Sequence, residues 1–316
     1  MHTVNSSMQE KRIYEKWHDQ ETQISCVLPR EFSMQQTLFY LTRSINECLH
    51  RVRDGKVYKL ILIEDEQILI EVSVTDDHRM NIAFINGTPS PSQRGSVALY
   101  VWDWLDLGTD LTGFYQMAEL DPILNKLMKQ FYGLRITGIP DLFEALCWAI
   151  MGQQINLAFA YSLKKRFVES FGTRLAWEGQ PYWLFPTTQD IAMLTVEALM
   201  KLQLTRKKAE YILDLAKLME RDELSKQQLL AMEDFKAAEK AMVRIRGIGP
   251  WTANYVMMRC LRDKAAFPLE DVGLHNALKL QLQLEQKPTL AEIRQHAIGW
   301  VNWEAYATFY LWRSLD

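Results

Sequence analysis

The 316-residue chain is 48% hydrophobic and 24% charged, ordinary proportions for a globular protein of two domains or one large one. No apolar run reaches the roughly 18 residues needed to span a bilayer, and the opening Met1-His2-Thr3-Val4-Asn5-Ser6 lacks a leader's apolar core, so a cytoplasmic protein with no membrane partner is expected. A net charge of −3 makes no general case for a polyanionic partner, and Cys26, Cys48, Cys147 and Cys260 form no CxxC pair, so neither a disulfide framework nor a cysteine zinc site is suggested.

From Ile24 to about Ile85 short β-branched runs alternate with acidic or polar turns. Val57 to Ile63, Gln67 to Val74 and Met80 to Ile85 are expected strands. Ser33 is placed to cap a helix through Met34, Leu38 and Leu41. Asn86 to Ser92 is a loop, and Ser96 to Leu105 has helical spacing. After about Gly113 helical spacing dominates: Phe143, Leu146 and Ile150 mark one helix, Leu157, Tyr161, Leu163 and Phe167 a second. Tyr211, Leu215 and Leu218 mark a third, capped by Thr205. The expected fold class is α+β, with an antiparallel sheet domain over residues 1–112 and an all-helical region over 113–316. Residues 1–110 carry 11 basic and 16 acidic side chains, and residues 111–316 carry 25 and 23, so the second region is the better surface for a polyanion.

The most informative stretch is residues 238–262, AEKAMVRIRGIGPWTANYVMMRCLR. A helix ending near Val243 runs into Arg246-Gly247-Ile248-Gly249, and Pro250 opens a second helix. Two glycines around one apolar residue permit a tight turn with positive φ. They also expose backbone N–H groups at a helix start, where a phosphate can be held without a basic side chain. The same residues also fit a plain helix–turn–helix with a glycine C-cap.

Ile245 to Ala253 resembles the hairpin of the helix-hairpin-helix DNA glycosylase superfamily, whose second signature is a Gly/Pro-rich loop with a catalytic aspartate. Phe267-Pro268-Leu269-Glu270-Asp271 is similar to that loop. The resemblance runs over most of the chain and is strongest to the bacterial DNA-3-methyladenine glycosylase II type. It implies an N-terminal sheet domain, two helical lobes flanking an active-site cleft, a monomer, and double-stranded DNA with damaged bases as partner. Asp271 falls at the catalytic position, and Glu270 is its neighbouring rival. Asp271 also precedes an expected helix at Val272, where an aspartate is a natural N-cap. The implied base pocket is Trp251, Tyr255 and Trp312, and the implied phosphate grip is the backbone at Gly247, Gly249 and Trp251. Gln154, with Gln153 as alternative, matches the segment that enters DNA as a wedge.

Strand-nicking relatives carry a lysine where this chain has Trp251, so no Schiff-base amine is available and hydrolysis alone is expected. No metal and no cofactor are expected: the six histidines form no cluster, and the cysteines lack the spacing that holds an iron–sulfur cluster in some relatives. Arg206-Lys207-Lys208 fits either a solvated helix face or phosphate contacts. Two positions depart from the family pattern. Arg246 stands where a proline usually precedes the first hairpin glycine, and Trp300-Val301-Asn302-Trp303-Glu304 replaces a Trp-x-Pro-x-Arg run. The implied reaction is removal of alkylated purines. A glycosylase for deaminated or oxidised bases and a non-catalytic damage-binding protein are the alternatives.

Overall fold

The structure, a computed structural model, describes residues 17–316, so the opening segment read above for a leader lies outside the described residues. The chain divides into two compact units that interleave along the sequence. The first comprises the described residues up to Pro29, Ser44–Trp104 and Met151–Glu223; the second comprises Arg30–Arg43, Leu105–Ile150 and Leu224–Asp316. No single cut near Gly113 separates them, because contacts rather than the change from strands to helices define the units.

The first unit is built on a six-stranded antiparallel sheet of order β1-β2-β6-β5-β4-β3. Its strands are β1 (Trp17–Asp19), β2 (Gln23–Val27), β3 (Arg51–Arg53), β4 (Lys56–Ile63), β5 (Glu66–Val74) and β6 (Arg79–Phe84). The three long strands match the sequence expectation to within a residue at each end. Register follows the apolar alternation: Ile70 lies opposite Phe84, Val72 opposite Ile82 and Val74 opposite Met80. In β4 five consecutive residues, Val57 to Ile61, are buried, because both faces are covered there. Helix α2 (Pro91–Trp104) packs against β4 on one side. On the other, Tyr182 joins Tyr58, Leu60 and Leu69 in one apolar cluster, with Leu175, Trp177 and Leu184 beside it.

Tyr182 belongs to a hairpin, β7 (Arg174–Trp177) and β8 (Gln180–Trp183), which corrects the expectation that everything beyond residue 113 is helical. Its strands are four residues each, too short for alternation to stand out, and its turn takes Glu178 and Gly179 to φ of 47° and 71°. Helices α6 (Leu157–Phe171), α7 (Thr188–Ala192), α8 (Val196–Met200) and α9 (Arg206–Glu220) complete this unit. Glu47 ties α6 to the segment leading into β3. Its carboxylate accepts from the amides of Cys48 and Leu49 at 2.8 Å each and from Lys164 Nζ at 3.3 Å.

The second unit is helical. It contains α1 (Met34–Leu41), α3 (Thr112–Leu120), α4 (Leu124–Gln130), α10 (Lys226–Leu230), α11 (Phe235–Val243), α12 (Pro250–Val256), α13 (Val272–Gln281), α14 (Leu290–His296) and α15 (Glu304–Arg313). Ser33 caps α1 as expected, its hydroxyl accepting from the amide of Gln36. The core gathers around α15 (Glu304–Arg313), in which Ala305 to Leu311 are all buried. Phe114 from α3 packs its ring 5.3 Å from Tyr306 and 4.8 Å from Tyr310. Helix α5 (Leu142–Gly152) starts in this unit, and its last two residues belong to the first.

Candidate active site

Helix α11 (Phe235–Val243) is capped by Asp234, whose carboxylate accepts from the Ala237 amide at 2.7 Å. The chain turns at Gly247, φ 91°, a value that glycine alone adopts without strain. Ile248 is buried and pins the turn, and Gly249 takes an extended conformation, φ −91°, as N-cap of α12 (Pro250–Val256). Pro250 stands at the first helical position, as the sequence predicts. Only the first glycine therefore needs positive φ. Asn254 then locks the hairpin: its side-chain amide donates to Glu239 Oε1 at 2.7 Å on α11, and its oxygen accepts from the Phe267 amide at 2.9 Å in the following loop. His275 holds the loop from its other end through a 2.9 Å contact with the Leu269 carbonyl.

At the end of that loop Asp271 caps α13 (Val272–Gln281). Its Oδ1 accepts from the Leu274 amide at 2.8 Å and from Trp312 Nε1 at 2.7 Å, and its Oδ2 accepts from Trp251 Nε1 at 3.0 Å. All three partners are donors only, so both oxygens act as acceptors. An ionised carboxylate offers about four lone-pair sites, which leaves one for a further group. Asp271 is thus the N-cap that the sequence offered, and the same carboxylate is also held by two indoles. Glu270, the neighbouring rival, is exposed. Gly273 is packed against the carboxylate: a Cβ there would lie 2.9 Å from Asp271 Oδ1 and 3.1 Å from the Trp312 indole.

The expected pocket rings lie side by side. Trp251 and Tyr255 have centroids 5.7 Å apart at 32°, and Tyr255 and Trp312 are 6.0 Å apart at 33°. Tyr255 is 6% exposed, and its hydroxyl accepts from Trp148 Nε1 at 2.7 Å and Arg259 Nη1 at 2.8 Å. Arg259 is itself 4% exposed, donates from Nε to the Thr137 carbonyl at 2.7 Å, and sits over the rings of Tyr40, Tyr255 and Phe309 at 5.2, 5.4 and 5.9 Å. It lies in a π-helical turn, Met257–Leu261, a geometry frequent at functional sites. Trp148, Arg259, Asn254 and Gly273 were not singled out in the sequence. The Tyr255–Arg259 spacing of four was the one available signal, since it puts both on one helix face.

Gln153 and Gln154, the expected wedge residues, belong to the first unit. They form the turn between α5 and α6, with Gln154 exposed and at φ 56°. Asn156 caps α6, accepting from the Phe159 amide at 2.8 Å. Lys208, read with Arg206 and Lys207 as a basic surface, is instead buried. Among the described residues no group of three or more His, Cys, Asp or Glu could hold a metal ion, and no helix is long and apolar enough to cross a membrane.

The departures at 300–304 have a structural counterpart. Asn302 has φ 66°, a left-handed value closed to proline, whose ring fixes φ near −65°. Glu304 starts α15 with Oε2 buried and unpartnered among the described residues. Burial pushes its carboxyl above the usual range, and Asp263 adds to this.

Residues 147–302 match the profile of the HhH-GPD superfamily base excision DNA repair proteins, and residues 15–146 match that of the 8-oxoguanine DNA glycosylase N-terminal domain. The chain is 49% identical over 301 residues to a DNA-3-methyladenine glycosylase of Bacillus subtilis (strain 168), covering 95% of this chain and 99% of that one. Among solved structures, a 3-methyladenine DNA-glycosylase from Archaeoglobus fulgidus superimposes with a TM-score of 0.79 at 23% identity, covering 92% of this chain and 97% of that one. An 8-oxoguanine glycosylase/lyase of Clostridium acetobutylicum, in complex with double-stranded DNA, does so at 0.74 and 18% identity over 94% and 96%. A hairpin, a capping aspartate held by two indoles, and 49% identity to a glycosylase over nearly the full length all agree: this chain belongs to the HhH-GPD superfamily of base excision DNA repair proteins and is a DNA glycosylase.

Proposed function

We propose that this DNA glycosylase acts as a cytoplasmic monomer on duplex DNA, flips alkylated purines such as 3-methyladenine and 7-methylguanine out of the stack, and hydrolyses their N-glycosidic bond without cutting the strand. The observation that carries the reading is the Asp271 carboxylate, oriented by the Trp251 and Trp312 indoles and the Leu274 amide beside three aromatic rings. Breaking the glycosidic bond develops positive charge on the sugar. A carboxylate fixed in advance stabilises that charge without reorganising, and its remaining lone pair can align the attacking water. A 3-methyladenine or 7-methylguanine base is cationic while in DNA, which makes it a good leaving group and draws it to aromatic faces by about 0.5–2 kcal/mol each. Trp251, Tyr255 and Trp312 supply those faces. No strong general acid is then required.

The backbone at Gly247, Gly249 and Trp251 is proposed to hold a DNA phosphate. A Cβ at Gly249 would meet nothing within 4 Å, so the space beside its backbone is open to a ligand. Gln154, with Gln153 as the alternative, is proposed to fill the gap left by the flipped base. Its exposed position at a left-handed turn supports this. The position of a Schiff-base lysine is occupied by Trp251, which supports hydrolysis alone.

Release of methylated bases from alkylated duplex DNA by wild type and Asp271→Asn tests the reading. Wild type should release 3-methyladenine and 7-methylguanine, and the variant should lose about 10²–10³ in rate while still binding DNA. Release of deaminated or oxidised bases in place of methylated ones would move the assignment to that substrate class, toward which the likeness of residues 15–146 to an 8-oxoguanine glycosylase domain points. Binding to damaged DNA with no release of any base would leave a damage-binding protein.

A further inference from the structure

The basic trio at the start of α9 is dispersed in the structure. Arg206 pairs at the surface with Glu197 at 3.1 Å, Lys207 is exposed, and Lys208 is 8% exposed. The Lys208 ammonium donates to the carbonyl of Met151 at 2.8 Å and to that of Gln153 at 2.7 Å. Among the described residues no carboxylate is paired with it. Burying a cation without a counter-ion is costly. The compensation here is the end of α5, where the last carbonyls have no partner within the helix and carry its negative pole. Burial accordingly lowers the Lys208 pKa below the usual lysine value.

The location of those two carbonyls gives the arrangement its meaning. Met151 is in the last turn of α5, and Gln153 is the first residue beyond it. Gln154 follows, exposed and left-handed, and Asn156 then fastens the chain to the start of α6. The loop is therefore clamped at both ends, by Lys208 on one side and Asn156 on the other, and Gln154 stands free between the clamps. The Lys208 backbone is anchored at the third position of α9, where its amide donates to the capping Thr205 hydroxyl at 3.4 Å. The lysine ammonium, a charge with three donors on a flexible four-carbon stem, can reach two carbonyls at a neighbouring helix end in this way.

We propose that Lys208 is a positioning residue for base flipping: it fixes the end of α5 so that the turn at Gln153–Gln154 keeps the shape in which Gln154 enters the duplex. This rests on the assignment of Gln154 as wedge. Loss of the clamp should impair extrusion of a stacked base and leave the chemistry on an already unstacked base untouched.

The test uses the full chain with Lys208→Met, Lys208→Arg, Gln154→Ala and Gln153→Ala. One readout is fluorescence of 2-aminopurine placed beside an abasic-site analogue in a duplex, which reports unstacking. The other is the ratio of methylated-base release from duplex to that from single-stranded alkylated DNA. Lys208→Met should lower the duplex signal and duplex release about tenfold or more, the scale of a hydrogen bond from a charged donor. Release from single strands should stay within about twofold, because no unstacking from a partner strand is needed there. Lys208→Arg, which keeps the donors, should recover most of the duplex activity, and Gln154→Ala should reproduce the Lys208→Met pattern. Normal flipping by Lys208→Met beside a defective Gln154→Ala would overturn the proposal and leave the wedge assignment standing. Normal flipping by Gln154→Ala and Gln153→Ala would overturn the wedge assignment itself. Equal loss on duplex and single strand would show a general structural role and also overturn the proposal. Should Lys208→Met fail to fold, Lys208→Gln, which retains an amide donor, is read by the same outcomes.

Discussion

Gly273→Ala separates the stability of α13 from the geometry of its cap. At an ordinary helical position this substitution strengthens the helix by about 1 kcal/mol. Here the new Cβ would lie 2.9 Å from Asp271 Oδ1 and 3.1 Å from the Trp312 indole, so the carboxylate, the indole or both must withdraw by several tenths of an ångström. The bond they share is 2.7 Å long. A displacement of about 0.5 Å takes it to the limit of a useful N–H···O contact. A hydrogen bond to a charged group contributes about 1.5–3 kcal/mol, which corresponds to roughly 10–150-fold in rate if the transition state depends on that orientation. Single-turnover release of methylated bases, measured beside the melting temperature, is the assay. The expected result is a ten- to hundredfold slower release with a melting temperature within a few degrees of wild type. Release within twofold of wild type would refute the view that Asp271 acts through a fixed orientation.

Trp312→Phe keeps an aromatic face but removes the indole donor to Asp271 together with the fused five-membered ring, so duplex release should fall about tenfold or more in single-turnover assays, with base stacking against Tyr255 retained. The buried Glu47 gives a pH prediction. Burial raises its pKa, but Lys164, His50 and the Leu49 amide outweigh that and bring it to about 2 from 4.5. A folded pKa below the unfolded one means the stabilisation is full above about pH 4.5 and drains away as pH falls towards 2. It amounts to on the order of 3 kcal/mol at neutral pH. Glu47→Gln should therefore melt well below wild type at pH 7, and the gap should shrink by more than half by about pH 3 in thermal melts across that range.

Local chemistry was legible in the sequence; distant partners were not. Ser33, Thr205 and Asp271 were readable as caps because an N-cap needs only a short polar side chain and the amides beside it. The three long strands were readable because each is a run of six to nine residues rich in apolar side chains, β-branched ones among them, between polar turns. By contrast, the β7–β8 hairpin is stabilised by Tyr182 packing on Tyr58, Leu60 and Leu69, more than a hundred residues earlier, and no local pattern announces that. Lys208 was misread for the same reason. Its neighbours Arg206 and Lys207 are solvated, and nothing in a run of three basic residues says that one of them turns inward to a helix end. At the candidate site, Asp271, Trp251 and Tyr255 follow from motif positions. The Arg259–Tyr255–Trp148 arrangement needs residues from two helices and a π-turn, which spacing alone does not supply.

The left-handed backbone at Asn302 bears on how this chain is compared with its relatives. A column of aligned residues usually records side-chain exchanges on a shared backbone. The family pattern set against the sequence has proline at this position, and a backbone at φ 66° cannot take a pyrrolidine ring. Asn302→Pro is thus a change of turn rather than of side chain, and grafting the Pro-x-Arg pair onto this protein would require rebuilding the link from Trp300 to Glu304. The segment is best exchanged whole, as a cassette, when substrate preference is moved between family members.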